Sequence, residues 1–428
     1  MSRGERDRFA RALLLITLVA LVVRVGYVVL EKWDEPLVGD QVAYHRSADR
    51  LAAGDGFVVR VDERSSRRTV NRPAADHPPL TVMVLAPVSW ITGGNANAQR
   101  LAMALIGTVS VALIGLVGRA VAGARAGLIA AGIAAVYPNL WVNDGLIMSE
   151  TLSVLAVVLA LLVAYRFVRH PTAGTALALG AVCGFAALAR VELILLAPML
   201  ALPTVLLPRS ITRLDRVHNI VIVVGVVALI LGPWMVFNLG RFESPTLLST
   251  NDGSAMLGAN CDDVYFGRSI GLWEPSCVPK VSGDPSIANS QYRRDAVRYV
   301  RDHVDRAPIV ALARVGRTWS LFRPGDMLSY QEADAHEWWV TFLGLWFFFP
   351  LLFLAVGGIV VMRERFDHLW QLLVPVVIVT IVSIVTYGQT RFRVPAEPSM
   401  VVLAAIALDA FFPGKIVSRG GEAGQPTA

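Results

Sequence analysis

The 428-residue chain is 55% hydrophobic and 17% charged, against roughly 45–50% and about 25% in soluble domains. Mean hydropathy is +0.55 and the apolar residues come in long runs, which excludes a soluble enzyme, a disordered chain and a small disulfide scaffold. The net charge of +6 is no nucleic-acid footprint, because the basic residues cluster between apolar runs, as membrane topology requires.

Crossing the hydrocarbon core takes about 20 apolar residues. The first run, Ala12 to Leu30, follows Arg3, Arg6, Arg8 and Arg11. Positive charge stays inside, so the N-terminus is expected in the cytoplasm. No small-residue cleavage site follows, which reads as an uncleaved helix. The next run, Pro79 to Thr92, is short and bracketed by Pro78-Pro79 and Gly93-Gly94. If it crossed, Arg119, Arg125 and every later basic loop would face outward. It is therefore placed in the outer interface, and Leu101–Val117 becomes the second span.

Further spans are expected near 126–142, 149–165, 173–189, 193–208, 218–237, 339–362, 369–387 and 395–412. The result is an all-α polytopic bundle of about ten transmembrane helices with both termini inside. The inside loops carry Arg119 and Arg125, Arg166 and Arg169, Arg209, Arg213 and Arg216, Arg363 and Arg365, then Lys415 and Arg419. Residues 1–237, with the outer loop 31–99, form the expected catalytic module. Residues 238–338 form a long extracytoplasmic loop with an amphipathic helix over Ser290–Val304. Residues 339–413 hold the last spans, and 414–428 a disordered cytoplasmic tail.

Several ionisable residues fall at the outer ends of these spans: Asp40, His77, Asp144, Glu150, Arg190, Glu192, Arg391 and Arg393. Charges at membrane depth usually face a cavity or a partner. Arg190, Arg391, Arg393 and His77 suit a lipid-linked phosphate, arginine through its fork of donors. Asp40 suits a general base acting on a hydroxyl; it equally suits a helix N-cap before Gln41. Arg24, inside the first span, is expected to snorkel. The spans otherwise read as nearly free of charge at their centres.

The ordered set GDQVAYHRSADRLAAGDGF (39–57), HPPL (77–80), MSETL (148–152), STNDGSAMLGAN (249–260), ALARVE (187–192) and RFRVPAEP (391–398) resembles the polyprenyl-phosphate-dependent GT-C glycosyltransferases. Within them it resembles the bacterial protein-mannosyltransferase-like and aminoarabinose-transferase-like proteins. The resemblance implies a GT-C bundle with outer juxtamembrane helices, Asp40 as catalytic base and His77 at the donor phosphate. Tyr44 matches the aminoarabinose transferases, whereas Asp40-Gln41 stands where many relatives have Asp-Glu, and His77 where they have lysine.

The implied activity is inverting transfer of a sugar from a polyprenyl-phosphate donor to an envelope glycan, lipid or protein hydroxyl. Arg391, Arg393, Arg190 and His77 then hold the phosphate, while Asp144, Glu150, Glu192 and Tyr44 position the acceptor or a divalent cation, Mg or Mn. The setting is a bacterial plasma membrane with the site extracytoplasmic. Only Lys32, Lys280 and Lys415 are lysines; this arginine bias, with the Ala/Val/Gly content, suggests a GC-rich genome and mannose or arabinose on a decaprenyl carrier. Alternatives are a polyprenyl-lipid flippase or transporter, or a non-catalytic lipid-binding envelope protein. Cys261 and Cys277, both in the long outer loop, are expected to form a disulfide, with Cys183 left reduced inside a span.

Overall fold

The computed structural model describes residues 3–63, 68–207, 211–281 and 283–412. The tail expected to be disordered, with Lys415 and Arg419, lies outside the described residues, as does Arg209. In the first part of the chain, α1 (Arg3–Tyr27) continues as a π turn to Lys32 and is followed by α2 (Asp40–Ala52). A hairpin comes next, β1 (Val58–Glu63) paired antiparallel with β2 (Arg68–Pro73), Val58 facing Pro73. Then come α3 (Leu80–Thr92), α4 (Ala96–Ala122), α5 (Ala124–Val136), α6 (Pro138–Asp144), α7 (Glu150–Arg169) and α8 (Ala173–Ala189). The first half closes with α9 (Leu202–Leu206) and α10 (Arg213–Leu239).

Local chemistry sets many of the boundaries. The side chains of Asn95, Thr172 and Thr212 accept from backbone N–H groups of α4, α8 and α10, satisfying donors that a helix start leaves orphaned. Pro138 has no N–H to donate and crowds the preceding turn. The span expected over 126–142 therefore breaks into α5 and α6, bent by 58°. Pro198 and Pro203 act similarly between α8 and α10: Val191–Leu195 is a 3₁₀ segment, Ala197–Ala201 a π turn, and α9 only five residues.

Helical segments occupy each of the ten expected span positions. Among the described residues six stretches are long and apolar enough to cross a membrane, or seven if α5 and α6 are one bent span. One of the six, Trp338–Val385, runs 48 residues and holds both α16 (Trp338–Met362) and α17 (Phe366–Val385), with the basic segment Arg363–Arg365 between them. α3, at 13 residues, is about 20 Å long, too short to span. The molecule is a multi-pass membrane protein.

The last helix, α18 (Glu397–Phe411), is the hub, contacting α4, α5, α16 and α17. Ala404, Ala405 and Ala407 on α18, with Ala130, Ala131 and Ala134 on α5, are fully buried. Small side chains let helix backbones approach where no hydrophobic force drives association within lipid. α10 is the opposite case, with Val221, Leu229 and Val236 all exposed outward, as a lipid-facing helix requires.

Between α10 and α16, residues 238–338 fold around α11 (Asp252–Gly258), α12 (Asp262–Tyr265), α13 (Pro285–Asp302), α14 (Ala307–Thr318) and α15 (Pro324–Glu332). Val264, Tyr265, Leu272, Val310 and Met327 form a small core there, beside a Cys261–Cys277 disulfide with Cα atoms 6.1 Å apart. The helix expected from Ser290 starts at Pro285, because the Asp284 carboxylate accepts the Ser286 N–H at 2.8 Å and proline suits the first helical position. Gly388 N–H donates to the Gly271 carbonyl at 2.7 Å, tying this segment to the end of α17.

Candidate active site

Five regions meet at one face of the bundle: the start of α2, the turn before α3, the start of α7, the end of α8 and the 386–392 stretch. The 249–256 segment closes the space from above. Gly39 adopts φ +54°, a backbone open to glycine and strained for other residues, and swings the chain so that α2 begins at Asp40. Asp40 makes no side-chain cap; the N-cap position is Gly39. The carboxylate is instead free to meet Arg391 at 3.2 Å and His77 Nε2 at 3.6 Å. His77 stacks on the buried Tyr44 ring, with centroids 4.6 Å apart. Its turn is pinned from the other side: Thr250 N–H donates to the Ala75 carbonyl and the Ser249 hydroxyl to the Asp76 carbonyl.

Arg391 is the centre of the cluster. Its guanidinium reaches Asp40, Asp334 at 3.3 Å and Glu150 at 3.6 Å. Glu150, fully buried, also accepts from Arg190 at 2.7 Å, and Arg190 reaches Glu192 at 2.5 Å. The Arg190 guanidinium lies over the Phe392 ring. Two guanidinium groups are thus shared among four carboxylates.

All of these groups except Asp334 line a cavity of about 410 Å³, within the range of roughly 300–1,000 Å³ typical of small-molecule sites. The cavity has two characters. Its lining is polar at Asp40, His77, Glu150, Arg190, Glu192 and Arg391 and apolar at Leu195, Ile381, Val382 and Val385. Burial alone would raise the Asp40 carboxyl, but His77 and the Arg391 guanidinium outweigh it and hold the group well below the usual carboxylate range. Burial raises the Tyr44 phenol, so it stays a hydroxyl.

Two of the sequence candidates lie elsewhere. Arg393 is buried against Glu397 at 2.8 Å and the Ser320 hydroxyl at 2.6 Å, with its guanidinium over the Phe348 ring. It does not meet His77 and Arg391 around the cavity. Asp144 turns back into the bundle and pairs with Arg24 at 2.7 Å, accepting also from Thr151. Arg24 therefore does not snorkel: it is fully buried, and the spans carry closed ion pairs rather than being nearly free of charge. Gly107 makes room for this pair, since a Cβ there would come within 2.1 Å of the Asp144 carboxyl.

The cavity also contains residues to which sequence reasoning gave no role. Asp76 adjoins His77. Ser249, Asn251 and Asp252 belong to the STNDGSAMLGAN run, which marked the segment without saying which residues face inward. Tyr387 carried no signal, and neither did Asp334, which pairs with Arg391 without lining the cavity itself. Among the described residues no group of three or more His, Cys, Asp or Glu side chains could hold a metal ion. Of the cavity carboxylates, Asp40, Glu150 and Glu192 each face a guanidinium group.

Residues 76–237 match the family model described as dolichyl-phosphate-mannose-protein mannosyltransferase. A comparison with curated proteins finds no match. Among solved structures, the archaeal oligosaccharyltransferase AglB from Archaeoglobus fulgidus, in complex with an inhibitory peptide and a dolichol-phosphate, aligns with a TM-score of 0.57 at 16% identity. That alignment covers 96% of this chain and 51% of AglB. ArnT from Cupriavidus metallidurans, in the apo state, aligns with a TM-score of 0.57 at 18% identity, over 95% of this chain and 60% of that one. The chain thus spans between half and two thirds of the length of these structures. Motif order, matched segment and architecture agree: the chain has the membrane fold of the GT-C glycosyltransferase superfamily.

Proposed function

We propose that the protein is an inverting glycosyltransferase that moves a sugar from a polyprenyl-phosphate donor to a hydroxyl of a cell-envelope acceptor. The observation that carries this reading is the cavity's mixed lining: the carboxylates of Asp40, Glu150 and Glu192, an imidazole and two guanidinium groups, together with an apolar wall. A lipid phosphate fits the polar groups and the start of its isoprenoid tail the apolar wall. Dolichol-phosphate bound to the AglB structure supports the same class of donor.

In this reading the acceptor oxygen attacks the anomeric carbon. A C–O bond forms to the acceptor, the bond from the anomeric carbon to the phosphate oxygen breaks, and its electron pair leaves with the lipid phosphate. Arg391, Arg190 and His77 offset the charge that builds on that phosphate. The acceptor proton goes to Asp40. A carboxylate held this acidic does not strip a free hydroxyl; it takes the proton late, once bond formation has made the oxygen acidic. Glu150 and Glu192 orient the guanidinium groups, and Tyr44 supports His77 from below.

The basic residues Arg119, Arg166, Arg169, Arg213 and Arg363 stand at the bundle ends away from the cavity. Positive charge stays in the cytoplasm, which supports a bacterial plasma-membrane protein with an extracytoplasmic site and cytoplasmic termini. Residues 238–338 then cover the site from outside, with 1–237 and 339–413 as its membrane parts. Donor sugar loss tests the reading. Purified protein is incubated with radiolabelled polyprenyl-phosphate sugars and an envelope extract. Sugar transfer that requires Asp40 is expected; movement of the lipid across the bilayer without cleavage would make the protein a transporter instead.

A further inference from the structure

A second cavity, of about 570 Å³, lies between the C-terminal ends of α4 and α7. α7 has 20 residues, so Glu150 and Arg169 stand at opposite ends of a helix about 30 Å long. That is roughly the thickness of the hydrocarbon core, and the two cavities sit on opposite faces of the bundle. The lining divides cleanly. Arg119, Arg166, Arg169 and His170 supply its polar side, Leu116, Leu162 and Val163 its apolar side, and no carboxylate is among the lining residues.

The arginines are organised across the gap rather than spread along a loop. Arg169 donates to the Ala120 carbonyl on α4. Arg119 lies over the Phe9 ring of α1, 4.5 Å from its centroid. Arg166 is exposed at the mouth. The positive-inside bias accounts for arginines in these loops; it does not account for three guanidinium groups around one recess whose remaining wall is the half-buried, apolar Leu116, Leu162 and Val163. Basic pockets between helices on the cytoplasmic side are suited to anionic lipid head groups, and a small soluble anion would leave the apolar wall unused.

We propose that this recess binds an anionic phospholipid, its phosphate on Arg119, Arg166 and Arg169 and its acyl chains along Leu116, Leu162 and Val163. The site is separate from the sugar-transfer cavity and does not depend on how that cavity works. The full-length protein in neutral detergent is examined by native mass spectrometry and thermal unfolding, with phosphatidylglycerol, phosphatidylcholine or inorganic phosphate added. Phosphatidylglycerol is expected to stay bound and raise the melting temperature, with the other two doing neither. Arg166→Gln with Arg169→Gln should weaken retention by at least roughly tenfold, the loss of charged hydrogen bonds. Leu162→Trp, which fills the recess and keeps every charge, should also reduce retention. Equal retention of both phospholipids, an equal thermal shift with phosphate alone, or undiminished retention in Leu162→Trp each overturns the proposal.

Discussion

Two sets of ion pairs, built from the same residue types within a few residues of each other, behave as opposites. Arg24–Asp144 and Arg393–Glu397 are closed: each is buried, each is backed by further hydrogen bonds, and neither lines the cavity around Arg391. Asp40, Glu150, Arg190 and Arg391 are open, sharing partners across separate segments around an empty volume. Residue type does not distinguish them; adjoining space does. A closed pair has nowhere to admit a third party, so it holds helices together. An open cluster can exchange one of its members for a ligand.

The sharpest way to break the comparison is to neutralise one acid of each kind. Asp40→Asn should fold, bind donor and lose about 10²–10⁴-fold in transfer rate, measured by sugar release against donor binding. Asp144→Asn should do the reverse, keeping activity per folded molecule while destabilising the bundle. A buried pair broken on one side costs roughly 3–5 kcal/mol, read as lost yield and a lower melting temperature. If Asp144→Asn lost rate at full stability, the closed pair would belong to the site after all.

Arg393→Gln tests the other closed pair. It leaves Glu397 buried without its cation, and a stability loss of roughly 3–5 kcal/mol with unchanged donor affinity is expected. Arg391→Gln, two residues away, should instead weaken donor binding by roughly 1.5–3 kcal/mol, the worth of a charged hydrogen bond, seen by titrating donor into a thermal-shift assay. Equal affinity losses for both would erase the distinction.

The covalent tie gives a further contrast, since it stabilises a region outside the bundle. Replacing Cys261 and Cys277 by serine removes a bridge across 16 positions, about 3 kcal/mol in the chain-entropy account. Earlier melting is expected to be confined to 238–338, followed by hydrogen exchange.

The smallest effect concerns pH. Folding lowers the pKa of Asp40, so its contacts with His77 and Arg391 add stability above the ordinary carboxyl pKa of about 3.9. That contribution fades as pH falls through the folded value. The melting-temperature gap between wild type and Asp40→Asn should stay level from roughly pH 8 to 5 and close only below about pH 4. A gap that closes between pH 7 and 5 would place the titrating group elsewhere.

Much of this was legible in the chain. Hydropathy located helical segments at the ten expected positions, although among the described residues only six stretches, or seven with the bent pair, are long and apolar enough to cross a membrane. His77, Glu150, Arg190 and Arg391 stood out because each sits where an apolar run begins or ends, and Asp40 because it stands at the start of the family-like run of the first outer segment. Direction was what the sequence withheld. Arg391 and Arg393 share one 3₁₀ segment, and at three residues per turn positions two apart point some 240° around its axis. One reaches the cavity and the other the bundle core. Asp144 was misplaced because the Pro138 bend turns α6 back toward Arg24. Asp334 was invisible because the path of a hundred-residue segment between spans cannot be read from periodicity.

The sharing of Arg391 among Asp40, Glu150 and Asp334 bears on turnover rather than on capture. Any phosphate that takes this guanidinium must first dislodge a carboxylate, so binding strength is the difference between two ion pairs. The displaced carboxylates remain tethered within reach at a very high local concentration. If the site takes a lipid-linked sugar as proposed, then once the bond to the sugar has broken these carboxylates compete with the spent lipid phosphate for the same donors and favour its release. A site with unshared arginines would grip its donor harder and stall on its product.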